Sequence, residues 1–257
     1  MALLVTDRPG PAGGLLRTVA LARPEKRNAL DAEHLDGLRD AFEDAGQDGA
    51  VRVVVLAATG TAFSAGYDLT QSFEPGAPDA LVIETMAAIR RCPRPTIACV
   101  QGAAFGAGLE LALSCDFRLA TAQAFFCLPP AKLGIAYAPE GLARLAAIVG
   151  LTRAKDLAFT GRVVAAAEAL RLGLIDEVLA DAQTLEALAR KRADALAETA
   201  PNAVSLMKRI FGLLEPALDR ADRAAIERER TALFFSDDAA EGLTALATKR
   251  PPVFQGK

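Results

Sequence analysis

Val51 to Ala58, VRVVVLAA, is an unbroken run of β-branched and aliphatic residues carrying a single charge. A strand with one face in water alternates apolar and polar side chains, whereas a continuous run is the pattern of a parallel strand buried on both faces. Such a strand needs cover on both sides, and strands alternating with helices along the chain imply an α/β architecture. Other segments supply matching parts. Leu15 to Leu21 reads as a strand ending at Arg23-Pro24, and Thr96 to Val100, Asp116 to Ala120 and Phe125 to Leu128 read as three more. Asp31 can cap a helix with Leu35, Leu38 and Phe42 on one face, and a further helix is expected around Ala80 to Arg90. From Pro139 onward the pattern is almost wholly helical, with helices expected near 139–149, 152–159, 165–172, 181–198, 201–214 and 217–235 and one strand at Leu174 to Val178. No low-complexity linker or internal repeat divides the chain.

Composition removes several classes of function. In 257 residues with a formal net charge of −3 there is one histidine, His34. A Ser-His-Asp or Cys-His centre would have to use it, and a multi-histidine metal site is impossible. Its setting beside an apolar stripe in an acidic helix predicts a partly exposed residue. Without clustered Lys and Arg to neutralise phosphates, nucleic acid is not the expected partner. Cys92, Cys99, Cys115 and Cys127 lie in apolar segments with no CxxC spacing and read as buried thiols in a reducing compartment. The N-terminal MALLVTDRPGP lacks a basic region leading into an apolar run, and nothing approaches the ~18 uninterrupted apolar residues of a membrane span. A cytoplasmic protein with no membrane association is expected.

The chemistry concentrates in two glycine-bearing turns, residues 59–68 and 102–110, each following a buried strand. Turns of this kind present backbone N–H groups that have no helical partner, and these bind anions or developing oxyanions. The turn after Val100 reads GxxxGxG, not the dinucleotide fingerprint GxGxxG. No Tyr-x-x-x-Lys pair accompanies it, and no GKS or GKT marks a P-loop.

RPEKRNALD at 23–31, GTAFSAGYDL at 60–69, QGAAFGAGLELALSCDFRLA at 101–120 and EGLTALATKRPPVF at 241–254 resemble, in order, the motifs of the enoyl-CoA hydratase/isomerase (crotonase) superfamily. The resemblance implies an α/β fold that is a crotonase-like spiral of β-β-α units, with a core over 1–195 and a C-terminal helical trimerisation region over 196–257. It implies acyl-CoA thioester substrates and a homotrimer or dimer of trimers. No metal or redox cofactor is implied, coenzyme A being part of the substrate.

The shared mechanism holds a thioester carbonyl between two backbone N–H groups, which by this match belong to Ala65 and Ala107. Each such donor is worth ~3 to 4 kcal/mol of transition-state stabilisation. Gly66, Tyr67, Asp68 and Gly106 flank them. Glu110 matches the first of two hydratase glutamates, and a carboxylate three residues from an oxyanion donor can face the carbon next to a polarised carbonyl. Carried ungapped, the second glutamate falls on Pro130. Tyr137, in KLGIAYAPEG, matches a tyrosine of the methylmalonyl-CoA decarboxylase branch, and Glu140 resembles the glutamate of peroxisomal-type enoyl-CoA isomerases. Arg23, Lys26, Arg27 and Ala29 fall in the loop that contacts CoA in relatives, and Lys249 and Phe254 at positions that approach its adenine end. Three readings follow: hydration or double-bond isomerisation, decarboxylation of a malonyl-type thioester, and a CoA-binding member without activity.

Overall fold

The computed structural model describes residues 3–69, 77–214 and 220–256. Its main sheet has six strands in the order β1 (Leu3–Pro9), β2 (Leu15–Leu21), β3 (Val51–Ala58), β4 (Thr96–Val100), β6 (Phe117–Thr121) and β9 (Glu177–Leu179). β1 pairs antiparallel with β2, and the other neighbours are parallel. A second sheet joins β5 (Ala103–Phe105), β7 (Phe125–Cys127) and the two-residue β8 (Val164–Ala165).

β3 is buried on both faces, as its composition requires. Its Val54 and Leu56 point into a core formed with Leu35, Leu38 and Phe42 of α1 (Ala32–Gln47), Met86 and Ile89 of α2 (Ala77–Arg91) and Leu109 and Leu113 of α3 (Ala107–Ser114). Val53, on the other face, joins Ile97, Cys99 and Leu119 beneath α7 (Ala182–Ala197). The buried stripe of α7 is Leu185, Ala189, Ala193 and Ala197, so three methyl side chains at four-residue spacing let the helix lie close on the sheet. Helices α4 (Pro139–Val149) and α5 (Leu151–Thr160) lie between β7 and β8, α6 (Ala166–Leu172) follows β8, and α8 (Pro201–Leu213), α9 (Arg220–Phe234) and α10 (Asp237–Ala247) close the chain. Among the described residues, no helix is long and apolar enough to cross a membrane.

Besides β5, which forms inside the second glycine turn, and α10, which lies beyond the last expected helix, four features depart from the sequence reading. β1 is an extra strand: as a sheet edge it needs no continuous apolar run, and most of its side chains are exposed. β8 interrupts the helical second half where residues 164–165 add an antiparallel edge to β7. The last strand begins at Glu177, not Leu174, because Leu174 and Ile175 plug the core and the Asp176 carboxylate accepts the Arg118 N–H at 2.7 Å before pairing starts. His34 is buried at 2% exposure. Asp31 makes that possible: one carboxylate oxygen caps α1 by accepting the His34 backbone N–H at 3.0 Å and also meets ring Nδ1 at 2.6 Å.

Candidate active site

Backbone contacts bring the two glycine turns together. Phe63 and Ser64 donate their N–H groups to the Ala103 carbonyl at 3.0 and 2.9 Å, and the Phe105 N–H returns a bond to Ser64 at 3.0 Å. Gly66 is required at this crossing. Its φ of +95° lies in the left-handed region, and a Cβ there would stand 2.7 Å from the Phe105 carbonyl oxygen. The first turn is held from behind by the loop at 23–31. The buried Asn28 side-chain amide donates to the carbonyls of Thr59 and Ala62, both at 2.9 Å, and the Asn28 main-chain carbonyl accepts the Ser64 hydroxyl at 2.8 Å.

Between the turns opens a cleft with mostly apolar walls and a few polar groups, the make-up of a small-molecule site. Ala65, Gly66, Tyr67, Gly106, Ala107, Glu110 and Tyr137 all border it, among walls supplied by Leu69, Val82, Ile83, Leu133, Ile135 and Phe234. Pro130 also lines it, so an apolar ring occupies the place where the second hydratase glutamate is expected. Among the described residues, Glu110 is the one carboxylate in the lining. It sits in the first turn of α3, whose first N–H groups, Ala107 included, have no helical acceptor; the helix ladder begins with Glu110 N–H to the Gly106 carbonyl at 3.1 Å. Burial first, then the charges of Asp31 and Asp68, push the Tyr67 phenol above its ordinary value, so at neutral pH it is a protonated donor.

Other residues singled out in the sequence take different roles or lie outside the lining. The Ala65 N–H is donated to the Arg27 carbonyl at 2.9 Å and is therefore committed to the loop that braces the turn. The Arg23 guanidinium is held by Asp31 at 2.9 Å and Asp68 at 3.0 Å, which ties the brace, the α1 cap and the first turn into one unit. Burial works to raise the Asp31 carboxyl, but hydrogen bonds from the His34 ring and backbone, with the His34 and Arg23 charges, outweigh it and hold the group below its ordinary value. Lys26 and Arg27 are exposed, Ala29 is half-buried, and neither these three nor Asp68 borders the cleft. Glu140, half-buried in the first turn of α4, is also outside the lining. Lys249 and Phe254 are exposed at the C-terminus, away from the cleft of their own chain. The four cysteines are buried, and burial pushes Cys99 and Cys115 up to about 12, which leaves them as inert thiols.

Two cations were missed. Arg230 of α9 reaches the cleft wall with its Nε 3.4 Å from the Ala136 carbonyl, and nothing local in the sequence marks it. Arg144 carried a signal: it falls on the stripe of α4 formed by Gly141, Leu145 and Val149, where a charge among buried positions must have a partner.

The fold as a whole is the crotonase fold. The chain belongs to the enoyl-CoA hydratase/isomerase family, whose profile matches residues 14–257. It is 38% identical over 242 residues to the probable enoyl-CoA hydratase echA6 of Mycobacterium tuberculosis, covering 93% of this chain and 95% of the relative. To the carnitinyl-CoA dehydratase of Shigella flexneri it is 36% identical over 254 residues, 95% of this chain and 96% of the other. The crystal structure of a methylmalonyl-CoA decarboxylase complexed with 2S-carboxypropyl-CoA superposes with a TM-score of 0.90 at 26% identity, covering 100% of this chain and 99% of that one.

Proposed function

We propose that the protein binds an acyl-CoA thioester with its carbonyl between the turns and moves a proton on the resulting enolate with Glu110, so that a double bond shifts along the acyl chain. The observation that carries this reading is that Glu110 is the one carboxylate in the cleft lining among the described residues, set against Pro130. Water addition ordinarily uses two carboxylates; isomerisation needs one, which takes a proton from the carbon next to the thioester and returns it two carbons further on. The electron pair rests meanwhile on the thioester oxygen. Ala107 N–H is one donor to that oxygen. For the other, Tyr67 replaces Ala65: Leu30 donates to the Gly66 carbonyl and accepts from the Asp68 N–H, both at 2.8 Å, so the intervening Tyr67 N–H is turned away from Leu30. Two backbone donors and a carboxylate are sufficient for this chemistry, with coenzyme A entering as part of the substrate and no metal or redox group required.

Tyr137 favours a second reading. It borders the cleft beside Glu110, where its hydroxyl would orient a substrate carboxylate, and loss of CO2 from a malonyl-type thioester leaves its electron pair in the same oxyanion site without a base. Turnover of 2-enoyl-, 3-enoyl- and alkylmalonyl-CoA by the purified protein separates the possibilities. Conversion of 3-enoyl- to 2-enoyl-CoA is expected. Release of CO2 from alkylmalonyl-CoA with the 3-enoyl thioester untouched would move the assignment to decarboxylation, and tight CoA binding without any turnover would leave a binding protein.

Cytoplasmic residence and a homotrimer or dimer of trimers, built through residues 196–257, complete the proposal. Support comes from α8, which exposes Leu206, Met207, Ile210 and Phe211, the last at 69%. A contiguous apolar face of this kind is covered by association. Light scattering after size exclusion is expected to give a multiple of three 26.9 kDa chains. Ile210→Glu combined with Phe211→Glu is expected to release single chains. In such an assembly Lys249 and Phe254 are candidates to reach a neighbour's CoA.

A further inference from the structure

We propose that Arg144 is the positioning residue of the site: it fixes the Glu110 carboxylate in place and keeps it charged. This rests on the assignment of Glu110 as the base and extends it to a residue one layer behind the cleft. Arg144 Nη1 stands 3.6 Å from Glu110 Oε1, and both side chains are 4% exposed. The same nitrogen donates to the Ser114 hydroxyl at 2.8 Å, and that hydroxyl donates to the Glu110 carbonyl at 2.8 Å. Glu110, Ser114 and Arg144 are thus tied as one unit across α3 and α4. Gly141, one turn before Arg144, lets the unit close. A Cβ there would lie 2.9 Å from Glu110 Oε1 and 2.5 Å from Tyr137 Cε1, so the carboxylate and the phenol share the space a side chain would fill.

A carboxylate taken out of water on these terms takes up a proton unless a cation stands close. Among the described residues, Arg144 is the cation placed within ion-pair distance of Glu110. β4 and β5 bring no charged side chain. On α2, packed on α3, Glu84 and Arg91 are exposed and Arg90 is half-buried. α4 adds Glu140, half-buried, and the cleft adds Tyr67, Tyr137 and Arg230. Removing the Arg144 charge therefore shifts Glu110 towards its neutral acid.

The test follows the Glu110 carboxyl carbon by carbon-13 NMR as pH is varied, assigned by its absence in Glu110→Gln, and needs no turnover. In Arg144→Met the titration midpoint is expected to move up by about one to three pH units. Arg144→Lys is expected to return it close to the parent. The acidic limb of the kcat profile moves with the midpoint while KM stays near its parent value. Thermal unfolding checks that the variants fold. If Arg144→Met does not, Ser114→Ala, which frees the guanidinium but keeps the charge, is expected to give a smaller upward movement. An unchanged midpoint in the folded variant overturns the role of Arg144 while leaving Glu110 as the base. Full turnover in Glu110→Gln overturns the assignment of the base, and the role of Arg144 with it.

Discussion

Glu110→Gln is expected to lower turnover by about 10²- to 10⁴-fold, the ordinary contribution of a placed general base, while leaving thioester binding nearly unchanged. Glutamine keeps the volume of the side chain, so the wall of the cleft and the contacts over Gly141 persist; what disappears is the lone pair that takes the proton. The loss should fall on kcat. Exchange of the hydrogen next to the thioester carbonyl with deuterated solvent, followed by proton NMR, reports the same step without any net reaction. Parent-like exchange in the variant would show that another group carries the proton. Pro130 cannot do so, and Glu140 lies outside the lining, so among the described residues the phenols of Tyr137 and Tyr67 would be the remaining candidates.

Gly66→Ala is expected to reduce kcat by about 10²- to 10³-fold, comparable to the loss of one oxyanion donor. The substitution adds one methyl group, yet it meets the Phe105 carbonyl oxygen at 2.7 Å in a backbone conformation with φ of +95°. Relief requires the 64–68 turn to pull away from the start of α3, which separates the Tyr67 and Ala107 N–H groups. The fold is held by contacts elsewhere, including the Asn28 amide and the Arg23 clasp, so circular dichroism should show a folded chain. Ala107→Gly keeps the second N–H and is expected to leave turnover near the parent. Should Gly66→Ala match the parent in kcat, the carbonyl is not held between these turns.

Much of this geometry is legible locally. β3 is recognisable because burial on both faces removes the polar half of the strand pattern, and α1 because Asp31 precedes an apolar stripe at helical spacing. Glu110 stands out because an acid in the first turn of a helix after a glycine turn lies beside unsatisfied N–H groups. The backbone N–H of Ala65 is a different case. Its residue type and motif fit a donor, but its direction depends on Arg27, nearly forty residues earlier, whose carbonyl takes it.

The amino-acid order by itself determined most of the elements, the two turns, the exclusion of a multi-histidine metal site and the loss of a carboxylate at Pro130, because each depends on residue type and short-range spacing. Tertiary structure decided which partners those groups meet. It buried His34 against Asp31, spent the charge of Arg23 on Asp31 and Asp68 instead of leaving it for a ligand, and set Arg144 against Glu110 across two helices. The physical reason is range: periodicity and capping act over a few residues, whereas the ionisation of a buried carboxylate is set by whatever charge the fold places within a few ångströms of it.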